Sequence, residues 1–370
     1  MKPEFETAAR LKVIGVGGSG QNALDHMIRS KVRGVDFIAV NADAQDLHTS
    51  HAPKKLHIGK NVTRGLGAGM NPELGRLAAE ENKREIEELT RGADLVFVTC
   101  GFGGGTGTGA TPIIAELAKN QGALTVAVVT RPFSFEGEAR SRIAEEGLVR
   151  LRKSVDAMII IPNDRLLHII ERDTPFLAAF AMCDEVLRQA VEGISDLIIT
   201  PGVINVDFAD VRTVLENSGS AIIGIGQASG RNRGQEAARL AIHSPLLEVS
   251  VDGARGVLFT ISGKEDLSMW EVQEAAKLIT ENVDKEARII FGAVQDERLR
   301  KGEIKVTVIA SGFPNGFARS ISLFNQEAQL LKGEGLGQRV PVSSDEGKEV
   351  PGESQEWDSV PAFLRRSKKI

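Results

Sequence analysis

From Leu11 to about Pro162, short apolar runs alternate with stretches of helix length. Lys12–Val16, Asp36–Val40, Asp94–Thr99, Leu124–Thr130 and Ala157–Ile161 are apolar without polar alternation. That pattern marks strands covered on both faces, as in a parallel sheet. Between them, Asn71 to Leu89 predicts a helix. Asn71 can cap it, Pro72 suits its first turn and Glu73 suits its positive end. Strict alternation of strand and helix predicts a doubly wound α/β sheet over 11–172.

A long helix is expected from Thr174–Pro175 to about Leu197, capped by Asp173 or Thr174 and stopped at Thr200-Pro201-Gly202. Its apolar residues, among them Phe176, Phe180, Leu187, Val191, Ile194 and Ile198, do not keep to one stripe. Such a helix belongs between two bodies, and 173–200 is read as a central connector. Over 201–317 the rhythm changes. Ala221–Ile225, Gly256–Ile261, Arg288–Phe291 and Ile304–Ala310 read as strands, and Ser268 with Glu271 forms a capping box opening a helix to Asn282. Four strands with few helices predict a smaller α+β domain.

Beyond Phe317 this texture ends. Residues 331–358 carry a net charge of -4 and residues 359–370 a net charge of +4. The composition predicts a flexible, disordered linker over 318–357 and a binding peptide over 358–370 built on Val360-Pro-Ala-Phe-Leu364. Residues 1–10 form an N-terminal extension without the apolar stretch of a secretory signal.

Across 370 residues, 42% hydrophobic and 26% charged side chains supply a sizeable core, and the formal net charge of -5 argues against a general nucleic-acid binder. The longest apolar runs fall short of the ~20 residues of a membrane span. Two cysteines, Cys100 and Cys183, cannot staple a secreted scaffold of this size, so a cytoplasmic protein with two inert, packed thiols is expected. His48, His51 and His57 lack nearby cysteines and read as solvated, leaving no expected metal site.

Two loops carry the chemistry. Gly15-Val-Gly-Gly-Ser-Gly20 follows a strand and opens a helix, fitting G-x-G-x-x-G. Its plainer reading is a tight turn. Gly101-Phe-Gly-Gly-Gly-Thr-Gly-Thr-Gly109 holds six glycines in nine residues, an entropic cost far beyond the needs of a turn. Such backbone suits close approach to several phosphate oxygens, with the Thr106 and Thr108 hydroxyls as added donors. Together the loops predict a di- or triphosphate nucleotide. No G-x-x-x-x-G-K-[ST] occurs, so a P-loop NTPase is excluded. An NAD-dependent oxidoreductase and a nucleotide-regulated scaffold without hydrolysis stay open as alternatives. Downstream, Asn205-Val-Asp-Phe-Ala-Asp210 places Asp207 and Asp210 three apart at a helix start. They read either as caps or as acids that hold water or a cation beside a phosphate. The long helix keeps them away from the glycine loops of the same molecule.

The Gly103–Gly109 run matches the signature of the tubulin superfamily, and essentially the whole chain resembles the FtsZ family of bacterial cell-division GTPases. The resemblance rests on Asn41-Ala-Asp43, Thr63–Gly69, Thr130–Phe133, Phe135-Glu-Gly137, Ile161–Asp164, Asn205–Asp210 and Val360–Arg365. It implies GTP and GDP as ligands with Mg2+. Gly18, Ser19, Gly20, Gln21 and Asn22 would form the first phosphate loop, and Gly104, Gly105, Thr106, Gly107 and Thr108 the second. Glu136, Arg140 and Asn163 would lie near the ribose, and Asp184 would accept from the guanine edge. Asn205, Asp207 and Asp210 would complete the catalytic site of the next subunit in a head-to-tail homopolymer. The resemblance further implies a ring at the mid-cell division site, held to membrane anchors such as FtsA through the C-terminal peptide. Ser19 and Gln21 interrupt what is often a pure glycine run in the family, and Phe102 stands where Met is common.

Overall fold

Alternate residues of the first strands enter two separate cores, which is why their sequences need no polar face. Val13, Phe37, Phe97, Val126 and Ile159 point into one core, and Ile14, Ile38, Val96, Ala127 and Met158 into the other. The computed structural model describes residues 9–167, 173–200, 202–204, 206–244, 251–281 and 283–313. The predicted linker and C-terminal peptide lie outside the described residues, as do Asn205 and residues 1–8.

The first half runs β1 (Leu11–Val16), α1 (Gly17–Arg29), β2 (Val35–Asn41), α2 (Ala44–Thr49), β3 (Lys54–His57), α3 (Lys60–Thr63), α4 (Pro72–Glu81) and α5 (Lys83–Thr90). It continues with β4 (Leu95–Gly101), α6 (Thr106–Asn120), β5 (Leu124–Arg131), a 3-10 turn at Ser134–Glu136, α7 (Glu138–Ser154), β6 (Ala157–Pro162) and α8 (Asn163–Leu166). Then come α9 (Phe176–Ile199), α10 (Phe208–Leu215), β7 (Gly219–Ser229) and α11 (Arg233–Ile242). The described chain closes with β8 (Gly256–Gly263), α12 (Met269–Thr280), β9 (Arg288–Gln295) and β10 (Glu303–Ser311).

The strands join one sheet in the order 3-2-1-4-5-6-7-10-8-9. Neighbours from β3 to β7 are parallel, β10 is antiparallel to both β7 and β8, and β9 is parallel to β8. The order 3-2-1-4-5-6 is that of a doubly wound nucleotide-binding sheet, whose strand order reverses between β1 and β4. The sheet is continuous through β6 and β7, so the two halves share hydrogen bonds as well as a helix. That helix, α9, sends Leu187, Val191 and Ile194 into a core shared with β1, β4 and β5 on one side and β7, β8 and α10 on the other. It packs against both halves of the sheet, and the residues it separates share one core.

Four local expectations need correction. Asn71–Leu89 is two helices, because Asn82 turns its side chain to the backbone: its Oδ1 accepts from Gly59 N (2.8 Å), and its own φ leaves the helix. The edge strand β3 has no counterpart in the sequence reading, since Lys54 and Lys55 hide it behind charge. Helix α9 starts after Pro175 with no side-chain cap, so neither Asp173 nor Thr174 serves. His48 is exposed on α2, but His57 on β3 is only partly exposed, its Nε2 3.3 Å from Ala42 O, so it is not simply solvated. The caps at Asn71, and at Ser268 with Glu271, form as predicted.

Gly107 and Gly109 sit within α6 rather than in a loop. A Cβ on Gly109 would overlap the Pro72 carbonyl and lie 2.6 Å from Arg76 N, so α4 and α6 meet backbone to backbone. Gly109→Ala is therefore expected to destabilise the fold by about 2–3 kcal/mol, read as a lowered denaturant midpoint with an unchanged slope.

Candidate functional site

Both glycine loops leave the sheet at its switch point, one after β1 and one after β4, where doubly wound sheets hold their ligands. They touch. Gly17 has φ +70°, and a Cβ there would stand 3.1 Å from Gly107 N and 3.4 Å from the Thr106 Cβ. Only glycine allows this approach without strain. Helices α1 and α6 both begin here, each without a side-chain cap and without an acidic residue in its first turn. Asp43, Asn71, Asp207 and Ser268 cap α2, α4, α10 and α12, while the other helices share the uncapped start of α1 and α6; what sets these two apart is that their starts meet. The first amides of an uncapped helix lack intrahelical acceptors and carry the positive end of its dipole. Two such ends converging on one crevice make a site for a multiply charged anion.

The predicted residues distribute around this crevice. Gly18 and Ser19 are accessible at the start of α1, and Gly104 faces open space. Gln21 is buried, donating from Nε2 to Asp46 O (2.7 Å), so its side chain braces the loop. Thr106, at the first turn of α6, is partly exposed between the loops. Thr108 is not: it is buried, and its Oγ1 accepts from Gly103 N at 2.9 Å. Its hydroxyl fixes the second loop rather than extending into the crevice. Glu136 and Arg140 pair at 2.8 Å, Glu136 also accepts from Phe133 N at 2.8 Å, and the Arg140 side chain lies against Gly103. Asn163 follows β6 at the same edge of the sheet, buried, with its Oδ1 lacking a hydrogen-bond partner among the described residues.

Asp184 lies on α9 where that helix packs across α1. It is half-buried and accepts no hydrogen bond from the described residues, and desolvation pushes its carboxyl up to about 6 against the nearby charges of His26 and Arg29. From Gly17 to the level of His26 is nine residues of helix, about 13 Å. Asn22 and His26 share one face of α1 at a spacing of four. Helix α1 thus leads from the amide-rich loops to a carboxylate on α9 that is unpaired among the described residues.

Two features escaped the sequence reading. The Asp46 carboxylate lies 3.1 Å from the point where a Cβ on Gly18 would stand, held by Asn41 Nδ2 at 2.8 Å. Phe133, Phe135, Phe176 and Phe180 form a ladder of rings with centroids 4.8–5.3 Å apart. Phe180 lies one turn before Asp184 on α9. The spacing of four between Phe176 and Phe180 on α9 was the one available signal, while the approach of Asp46 and Phe133 is tertiary.

Asp207 and Asp210 open α10, and each binds the other's backbone: Asp210 N to Asp207 Oδ1 is 2.8 Å and Asp207 N to Asp210 Oδ2 is 3.3 Å. They are also remote from the glycine loops. Ile199, ending α9, packs on Gly34 just before β2, and Arg212 of α10 donates to Gly122 O just before β5. Both contacts lie at the N-terminal edge of the parallel strands, whereas the glycine loops leave the C-terminal edge. Strands of six to eight residues separate the edges by roughly 20 Å.

Residues 10–171 match the Tubulin/FtsZ family, GTPase domain, and residues 219–314 match the FtsZ family, C-terminal domain. The empty FtsZ dimer of M. jannaschii is similar at 45% identity and a TM-score of 0.79, over 83% of this chain and 89% of that one. The chain belongs to the FtsZ family. A tryptophan-to-tyrosine mutant of M. jannaschii FtsZ gives the same identity and TM-score, over 83% and 92% of the two chains. CetZ2 from Haloferax volcanii, a GTPγS-bound protofilament, is 21% identical with a TM-score of 0.74 over 88% and 100%, and shares the fold. As an FtsZ-family member the chain is a tubulin-like GTPase of the cell-division class, and the anion crevice between its uncapped helices belongs to a guanine-nucleotide domain.

Asp184 supplies a test of the FtsZ crevice in the empty protein. Its folded pKa stands above the ordinary 3.8, so its neutral form is favoured on folding. Its contribution to stability is complete below about pH 4 and lost as pH rises through about 6. Asp184→Asn is expected to stabilise the nucleotide-free protein at pH 8 by on the order of 2 kcal/mol. The gain should vanish below pH 4 in paired denaturation curves.

Proposed function

We propose that this FtsZ-family protein binds GTP in the crevice of one subunit and hydrolyses it with acids supplied by the next, in a head-to-tail homopolymer. One observation supports this above the rest: Asp207 and Asp210 stand at the opposite edge of the sheet from the phosphate loops. Stacking one subunit on another brings those edges together. The M. jannaschii FtsZ relative is a dimer, which supports self-association.

In this reading the first-turn amides of α1 and α6, with Thr106, bind the triphosphate oxygens and lower the cost of charge moving onto them. Glu136, Arg140 and the Asn163 Oδ1, which has no hydrogen-bond partner among the described residues, face the ribose. Asp184 accepts from the guanine N1–H and amino group, donors that adenine does not present together, and the gain offsets the desolvation that raises its pKa. Asp207 and Asp210 of the adjoining subunit, with Asn205, orient and polarise the attacking water. Mg2+, when bound, neutralises phosphate charge. The donor set fits it: Asp46 beside Gly18 offers a carboxylate, and Mg2+ takes most of its shell from phosphates and water. A cytoplasmic ring at mid-cell, tied through 358–370 to membrane anchors such as FtsA, is part of the same proposal and rests on the family resemblance.

Phosphate release against protein concentration is the decisive measurement. Activity per molecule should rise steeply above a threshold. A flat line would sink the shared site, and turnover of NADH in place of GTP would favour the oxidoreductase. Asp210→Ala should keep GTP affinity within about twofold and lose hydrolysis by about a hundredfold or more. Removal of 359–370 should leave GTP turnover unchanged and abolish anchor capture.

A further inference from the structure

A ladder of ion pairs climbs one face of α9 and ends on a single arginine. Glu185 pairs with His26 Nε2 at 2.9 Å and with Arg188 at 2.6 Å, and Arg188 also pairs with Glu192. Glu192 is only 5% exposed, yet it holds a second guanidinium: Arg298 Nη1 meets its Oε1 at 2.6 Å. Arg298 further reaches Asp196 at 2.7 Å and Asp296 through two bonds of 2.9 Å. It follows β9 in the segment leading to β10. One side chain therefore binds that segment to α9.

The backbone around it completes a ring. Val203 N and Ala293 N exchange bonds with Ala293 O and Ile204 O at 2.8 and 3.2 Å, and Gly292 lies against Val206. The stretch that leaves α9 and enters α10 is thus clamped to β9. Arg298, five residues past Ala293, returns β9 to α9. Asp207 and Asp210 begin immediately after this ring.

We propose that Arg298 is a positioning residue for GTP hydrolysis, fixing the angle at which the segment entering α10 presents Asp207 and Asp210 to the neighbouring subunit. The inference rests on the shared-site reading above. It assigns Arg298 no contact with nucleotide. A shift of about 1 Å in catalytic groups can cost on the order of a hundredfold in rate, so a clamp of this kind acts on kcat and leaves KM alone.

The charges around Arg298 give it a signature. From α9 it faces Glu192 and Asp196, with Arg188 and Glu185 behind. From its own segment come Asp296 and Glu297, from β10 comes Lys305, and Lys31 and Arg33 line the same cavity of about 700 Å3. Burial raises the Asp196 carboxyl even with Arg298 in place. Without the guanidinium, Glu192, Asp196 and Asp296 lose their shared cation, and protonation relieves their repulsion.

The test compares full-length protein with Arg298→Met and Arg298→Lys, measuring GTP turnover above the assembly threshold, KM for GTP, and sedimentation with a slowly hydrolysed GTP analogue. Arg298→Met should lower kcat about tenfold with KM and sedimentation unchanged, Arg298→Lys should recover at least half of the loss, and the Arg298→Met deficit should narrow between pH 8 and pH 6. Parent-like kcat in Arg298→Met overturns the inference, and so does an equal, pH-independent loss in both variants. Asp210→Ala runs alongside: if it turns over GTP normally the shared site itself fails, whereas a dead Asp210→Ala beside a normal Arg298→Met sinks the clamp alone.

Discussion

Two helix ends without caps, pressed together at the point where the sheet reverses its strand order, govern the rest of this molecule. An uncapped helix terminus leaves donors unpaired and costs stability, about 1 kcal/mol for each cap forgone. Here the chain forgoes two of them at one place and brings the backbones of Gly17 and Gly107 into contact. The arrangement needs support from elsewhere. It comes from α4, whose Gly75 lies against the Gly105 carbonyl and whose first residue, Pro72, meets Gly109, and from Thr108, whose hydroxyl holds Gly103. The free amides are then a property of the fold, available before any ligand arrives.

The second constraint is distance. From Asp184 to Ile199, α9 extends about 22 Å and connects that carboxylate to the segment before Asp207. Because α9 is packed on both sides by one continuous core, and because β6 and β7 share hydrogen bonds, no simple hinge within one molecule carries the acids to the phosphate loops. The glycine loops and the carboxylates of Asp207 and Asp210 lie at opposite edges of one sheet. A second copy joins them more readily than a conformational change.

Much of this was legible along the chain. Apolar runs without alternation specify doubly covered strands, and the alternation of Ile14 and Val13 between two cores is the physical form of that signal. Caps at Asn71 and Ser268 were readable because their chemistry is local. The break at Asn82 was not, since its cause is Gly59, more than twenty residues away. Nor was β3, whose lysines conceal a strand by protecting an edge. At the site, glycine density marked the two loops that meet at the switch point but overstated them, since Gly109 serves helix packing. Asp184 carries no local mark at all, and only resemblance singled it out before its burial gave a physical reason. Asp46 and the phenylalanine ladder depend on tertiary approach.

The ladder on α9 poses a final question of energetics. A carboxylate as buried as Glu192, held between two arginines, recovers its desolvation only with good geometry, and apolar replacements of such groups are often as stable. Stability alone therefore does not account for concentrating Arg188, Arg298, Glu192, Asp196 and Asp296 at one junction. What a network of directional charges adds over a greasy contact is angle: guanidinium forks accept few orientations of a carboxylate. Helix α9 would slide easily over purely apolar neighbours, and its last turn sets where the acids emerge. Fixing that turn by charge, at the end opposite the glycine loops, would let the subunits of the proposed polymer present Asp207 and Asp210 in one orientation.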